Sequence, residues 1–260
     1  MSSRTARSLR HEYELYVEQE IENYKESIPR SAILAIGDEA AAKLAAESQF
    51  TLTELLLVEE VDRIVAKRLR LPKYDTWRKK RLRLIDEMRR PEHWGLQRGD
   101  ALVRAVENAT AEKITAHVLV AGASAQRSAL YLAANGCDVT AIDSQEEMLE
   151  RVMAAAVQAG LAERVHAFAA ELAQFQPDRI LKAVVCSHSA LASLSERDRQ
   201  RVIEVLQSAT ADGGVHLVET IVAGSAAIDQ LKSTYKGWAV TVEPRGDEQV
   251  FLATKSQRAD

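Results

Sequence analysis

The residues best placed to do chemistry lie in one stretch, 117–151, which reads HVLVAGASAQRSALYLAANGCDVTAIDSQEEMLER. A β-rich run enters a turn at Gly122, a helical pattern follows and stops at Gly136, and a second β-rich run ends at Asp143. In doubly wound α/β sheets the loop after the first strand lies at the carboxyl edge, where ligands bind, and an acid closing the second strand can accept hydrogen bonds from both hydroxyls of a ribose. Asp143 occupies that position. Ser144 and Glu147 have capping-box spacing, which predicts a helix starting directly after Asp143. Further along, Glu171 follows a third β-rich run, Ser187, His188 and Ser189 follow a fourth, and Glu219 and Thr220 close a fifth. An imidazole at that edge can act as a general base or position a substrate. Each residue also has a plainer reading: a helix cap for Asp143, a solvated surface acid for Glu171, a satisfied loop histidine for His188.

These residues need elements to hold them. From His117 onward, short β-rich runs alternate with helix-length patterns. The predicted strands are His117–Ala121, Asp138–Ile142, Arg164–Ala169, Ile180–Cys186, Val215–Thr220, Trp238–Glu243 and Gln249–Thr254. Helices are predicted at Gln126–Asn135, Gln145–Gly160 and Glu196–Ser208, and alternation of this kind implies right-handed crossovers and a parallel sheet. Only Pro244–Glu248 separates the last two strands, which suits a hairpin and not a crossover, so that pair is expected to be antiparallel. Gly213 and Gly214 read as the turn into the fifth strand.

Residues 1–95 have a different texture and predict an all-helical domain ahead of an α/β domain over 96–260. Tyr13, Val17, Ile21, Tyr24 and Ile28 recur at helical spacing until Pro29. Asp38–Glu47 is alanine-rich. Thr51 with Glu54 forms a second capping box, and the helix it launches closes at Pro72. Lys73–Arg90 is helical again, and Gly99–Thr110 reads as one more helix.

The 260 residues are 47% hydrophobic and 28% charged, which excludes a disordered or collagen-like chain. The net charge of −4 gives no overall positive field toward nucleic acid or anionic lipid. Basic residues concentrate at 67–90, with Trp77 beside Arg78, Lys79, Lys80, Arg81 and Arg83. Helical periodicity and acidic neighbours make this a solvated or internally paired face, so nucleic acid is not the expected partner. Cys137 and Cys186 have no metal-ligand spacing, and two cysteines in different strands fit a reducing compartment, with the cytoplasm as the expected location. No apolar stretch approaches the roughly 18 residues that cross a bilayer, and the polar start predicts no signal peptide.

The sequence resembles the class I S-adenosylmethionine-dependent methyltransferases, in particular the small-molecule branch containing the ubiquinone and menaquinone methyltransferases. Besides the first loop, the resemblance rests on DVTAIDSQEEMLERV, AGLAERVHAFAAEL, KAVVCSHSAL and ADGGVHLVE, and it covers about residues 95–255. It implies a Rossmann-like, seven-stranded, mainly parallel sheet with an antiparallel last strand. It also implies S-adenosylmethionine as cofactor, lying over the loop at Gly122, Ala123 and Ser124, with its ribose on Asp143 beside Ser144. Adenine would sit by Glu171 and Leu172, and the methyl group would face Ser187 and His188, the latter as the candidate catalytic residue. The family's first motif carries an acid two residues before its first glycine and glycines at every second position after it. Here Val120, Gly122, Ser124 and Gln126 stand in those places, so the motif is degenerate.

The resemblance implies methyl transfer to a small-molecule acceptor. The departures motivate an alternative, a methyltransferase-like protein without catalysis that acts as an assembly or regulatory subunit. In either case the N-terminal helices offer a surface for a second copy or a protein partner.

Overall fold

The computed structural model describes residues 8–46, 54–111, 115–122 and 125–256. They form two compact units, Met1–Leu84 and Ile85–Asp260, divided within the fourth helix.

The first unit contains α1 (Leu9–Ser27), α2 (Arg30–Ala46), α3 (Glu54–Leu69) and most of α4 (Tyr74–Met88). Ser8 caps α1 by accepting from the His11 N–H. The predicted stripe is the buried one: Ile21 joins Ile36, Ala40, Ile64 and Val65 in a core against which Val17, Tyr24 and Ile28 pack. Helix α1 stops before Pro29 as expected, but α2 begins well before the expected Asp38, because Pro29 also precedes its first turn and Ile36 supplies a core contact. Thr51, the expected cap of α3, lies outside the described residues. Glu60 is buried and ion-paired to Lys43 and Arg63. The Lys43 hydrogen bond, and then the Arg63 charge, hold its carboxyl below the usual range against the opposing effect of burial. Tyr13 and Tyr16 of α1 pack on Trp77 of α4, and Arg81 pairs with Glu12 at 3.2 Å. Arg78, Lys79 and Lys80 are exposed.

In the second unit a 3-10 turn (Pro91–Trp94) and α5 (Ala101–Thr110) precede the sheet. Then come β1 (His117–Ala121), α6 (Ala125–Ala134), β2 (Asp138–Asp143), α7 (Glu146–Ala159), β3 (Val165–Ala169), β4 (Leu181–Ser187), α8 (His188–Ala192), α9 (Glu196–Ala209), β5 (Thr210–Val222), α10 (Ala227–Thr234), β6 (Trp238–Arg245) and β7 (Glu248–Lys255). The seven strands lie in the order β3-β2-β1-β4-β5-β7-β6. Pairing is parallel from β3 through β5, while β7 runs antiparallel to both β5 and β6. This is the Rossmann-like α/β architecture, with a helical N-terminal region before it.

One face of the sheet, carrying Leu119, Ala121, Ile142, Val184, Cys186, Val218 and Phe251, is covered by Val202, Ile203 and Leu206 of α9 and Ile228 and Leu231 of α10. Helices α5, α6 and α7 cover the other. Strand β5 begins earlier than the glycine pair suggests. Gly213 and Gly214 lie inside it, at a shift in register where Leu181 faces Thr210 but Ala183 faces Val215. Below that irregularity His216 is buried between Thr210 and Tyr235. Thr210 gives its hydroxyl hydrogen to the Leu206 carbonyl at 2.7 Å, so it accepts from His216 Nε2–H, and His216 Nδ1 accepts from the Tyr235 hydroxyl at 2.8 Å. Burial, assisted by the charge of Lys255, pushes the His216 imidazole down to about 3, so the ring is neutral. No described helix is long and apolar enough to cross a membrane.

Candidate functional site

The carboxyl ends of β1, β2 and β3 surround a hollow of about 210 Å³. It is lined by Ala121 and Gly122 from β1 and its turn, Ile142, Asp143, Ser144 and Gln145 from the end of β2, and Ala170, Glu171 and Leu172 after β3. Ser189 and Ala190 of α8, with Ser193 and Leu194 after it, form the remaining wall. Six of the residues singled out from the sequence therefore meet at one place: Gly122, Asp143, Ser144, Glu171, Leu172 and Ser189. Ala123 and Ser124 lie outside the described residues.

Backbone pairing sets these positions. The Gly122 N–H donates to the Ile142 carbonyl at 3.2 Å and the Ala170 N–H to the Asp143 carbonyl at 3.1 Å, so three strand ends are tied rim to rim. Gly122 has φ +91, and a Cβ there would lie 2.1 Å from Ser187 Oγ and 2.9 Å from Ala190 Cβ. Glycine is thus required by the approach of α8 as well as by the backbone angle.

Asp143 is half-buried, and its Oδ1 accepts the Gln145 N–H at 2.9 Å. The expected Ser144–Glu147 capping box does not form: the N-cap of α7 is Gln145, which makes no side-chain cap bond. Asp143 serves the start of the helix instead, because its carboxylate already reaches the first free N–H. One such bond leaves most of a carboxylate's roughly four acceptor positions open.

Ser187 and His188 stand elsewhere. Ser187 is 1% exposed and caps α8, accepting from the Ala190 N–H at 3.3 Å. Its side chain lies against Gly122 and does not line the hollow. His188 does not line the hollow either. It faces a second cavity of about 330 Å³ on the other side of α8, with Leu191, Glu196, Arg199, Gln230 and Lys236. Successive residues of so short a helix point in different directions, which is how Ser189 meets one cavity and His188 the other. Burial, then the charge of Arg199, lowers the His188 imidazole from its ordinary value.

A cluster at the end of β5 was only partly anticipated. Glu219 is 2% exposed and accepts from Ser128 Oγ at 3.2 Å, Arg127 Nη2 at 3.3 Å and Arg245 Nη1 at 3.3 Å. Thr220, next to it, has φ +61. The sequence places Glu219 at a strand end; β5 in fact runs on to Val222, and only its pairing with β4 stops at Glu219, while the arginine partners leave no local signal, since Arg127 lies 92 residues away. Cys186 is buried, and burial pushes its thiol up to about 12, so it is no nucleophile at neutral pH. Among the described residues no cluster of His, Cys, Asp or Glu could hold a metal ion.

Residues 118–214 match the family model described as a methyltransferase domain. That stretch runs from β1 into β5, inside the second unit, whose sheet order and reversed β7 form the Rossmann-like arrangement. No curated protein matches the sequence. Among solved structures the chain is similar to the N-methyltransferase NodS from Bradyrhizobium japonicum WM9, at 13% identity and TM-score 0.48, over 60% of this chain and 94% of that one. It is also similar to the glycopeptide N-methyltransferase MtfA complexed with S-adenosyl-L-methionine, at 17% identity and TM-score 0.49, over 61% and 95% of the two chains. TehB from Haemophilus influenzae aligns at 17% identity and TM-score 0.48, over 59% of this chain and 62% of that one.

Proposed function

We propose that this protein binds S-adenosylmethionine at the carboxyl edge of β1–β3 and transfers its methyl group to a small-molecule acceptor. The observation that carries the reading is the meeting of Gly122, Asp143 and Glu171 in one hollow at that edge. Asp143 would accept the two ribose hydroxyls through the acceptor positions that Gln145 leaves open, and Leu172 would supply an apolar wall for the base. When bound, the cofactor supplies a sulfonium-activated methyl group. What the chain contributes is alignment, since methyl transfer of this kind depends mainly on holding nucleophile and sulfonium in line. His188 is assigned no proton transfer, because its side chain opens on the other cavity.

The hollow is smaller than the roughly 300–1,000 Å³ of most small-molecule sites, and Val120 offers no acceptor where the family has an acid. These two observations favour a second reading, a domain that keeps the fold but not the catalysis and serves as an assembly or regulatory subunit. Calorimetric titration with S-adenosylhomocysteine separates the two. Micromolar binding that Asp143→Ala weakens roughly tenfold or more, the expectation for lost hydrogen bonds to a charged acceptor, supports the enzyme. Absence of heat at millimolar ligand supports the subunit.

A further inference from the structure

We infer that Arg127 and Arg245 form a carboxylate-binding fork at the carboxyl end of β5, held in place by the buried Glu219. The inference deepens the reading above and rests on it for the fork's location near the transferred group, although not for the fork's chemistry. The carboxylate belongs either to the acceptor or to the methionine part of the cofactor.

Three observations carry it. First, two guanidinium groups from separate elements, α6 and the end of β6, converge on one oxygen, Oε1 of Glu219, each at 3.3 Å. A structural tie to a buried carboxylate is complete with one arginine; here the three side chains carry one positive charge in excess. Second, the donors are under-used. The contacts to Glu219 are longer than the roughly 2.7–2.9 Å of a well-formed charge-assisted bond, and Arg127 Nε is inaccessible to solvent without a hydrogen-bond partner. The arginine side chains are 33% and 36% exposed, so neither is sealed in the core. Third, the backbone is distorted where it presents Glu219. The register between β5 and β7 shifts between Val218 and Ile221, and Thr220 has φ +61, a costly angle for a β-branched residue. Strain of this kind persists where the surroundings impose it, commonly at ligand sites.

Position and chemistry agree. Ser187 and Glu219 are register partners on β4 and β5, so the fork sits at the same edge as the hollow, displaced toward β5. The site already accommodates one planar carboxylate, and planar forks match a second one better than they match a single ammonium or an apolar group.

The test is calorimetric titration of the whole chain with S-adenosylhomocysteine, with 5′-methylthioadenosine, which keeps the nucleoside thioether but lacks the carboxylate, and with benzoate and inorganic phosphate. The proteins compared are the parent, Arg127→Gln, Arg245→Gln and Arg245→Lys. Loss of a carboxylate probe by roughly tenfold or more in the glutamine variants is expected, with part of it recovered in Arg245→Lys and methylthioadenosine unchanged. A loss confined to S-adenosylhomocysteine assigns the carboxylate to the cofactor, and one confined to benzoate assigns it to the acceptor. Unchanged binding of both carboxylates, or phosphate binding in their place, overturns the fork. If the parent binds neither nucleoside but binds benzoate through Arg127 and Arg245, the cofactor reading fails and the fork stands. Should the glutamine variants not fold, Arg245→Lys carries the test, since it keeps the charge beside Glu219 and removes the fork.

Discussion

Gly122 bears two constraints at once, a backbone angle that L side chains rarely adopt and a neighbour, Ser187, whose hydroxyl fills the space of a Cβ. Gly122→Ala is therefore expected to destabilise the α/β unit by about 2–4 kcal/mol, the combined order of a strained φ and an overpacked contact. Chemical denaturation of the variant checks it. Because Ser187 Oγ also caps α8, the damage should extend to that helix, and Ser187→Gly in the same chain should recover only the steric part. Thr220 carries the opposite expectation. Its positive φ costs a β-branched residue more than it costs asparagine, so Thr220→Asn should raise the unfolding free energy by about 1 kcal/mol. A loss of stability instead would mean that the threonine methyl contributes packing that outweighs the strain.

Among the elements, β1 and β2 with the intervening α6 were legible because period, turn glycines and length agreed over His117–Asp143. The same clarity placed Asp143 at a strand end and hence in the candidate site. Helix α8 was not legible: it is five residues long, His188–Ala192, too short to show a period. Helix α10 was missed because its N-cap, Ala226, makes no side-chain cap bond and so leaves no signature. The start of β5 was misplaced because Gly213 and Gly214 look like a turn, whereas a register shift absorbs them inside the strand. What no local pattern could disclose is pairing at a distance. Arg127 with Glu219, and Arg245 with Glu219, meet only because the sheet order brings α6, β5 and the β6–β7 hairpin to one rim.

For the whole molecule, acid separates the two units. His216 is in the α/β unit, and its pKa in the folded chain is about 3 against an ordinary 6.5. Its neutral form is the folded one, so the stability it contributes is full above pH 6.5 and falls steadily as the pH drops toward 3. Glu60 is in the helical unit, with a pKa held below its ordinary 4.5. Its contribution is full above 4.5 and is lost only as the pH falls through the lower folded value. On acid titration the α/β unit should therefore weaken first. Tryptophan fluorescence reads this out, with Trp77 kept as the sole reporter in one variant and Trp238 in another. Coincident transitions, or an earlier loss at Trp77, would contradict the assignment.

The strand order has a consequence for biosynthesis. The last of these seven strands in chain order, β7, is an inner one, lying between β5 and β6. A nascent chain stopped before Glu248 offers β5 as an open edge and leaves β6 with no ribbon to join, a state exposed to pairing with other chains. Closure of the sheet therefore waits for residues 248–255, and the ribosome must release nearly the whole domain before its β5 side is safe from adhesion.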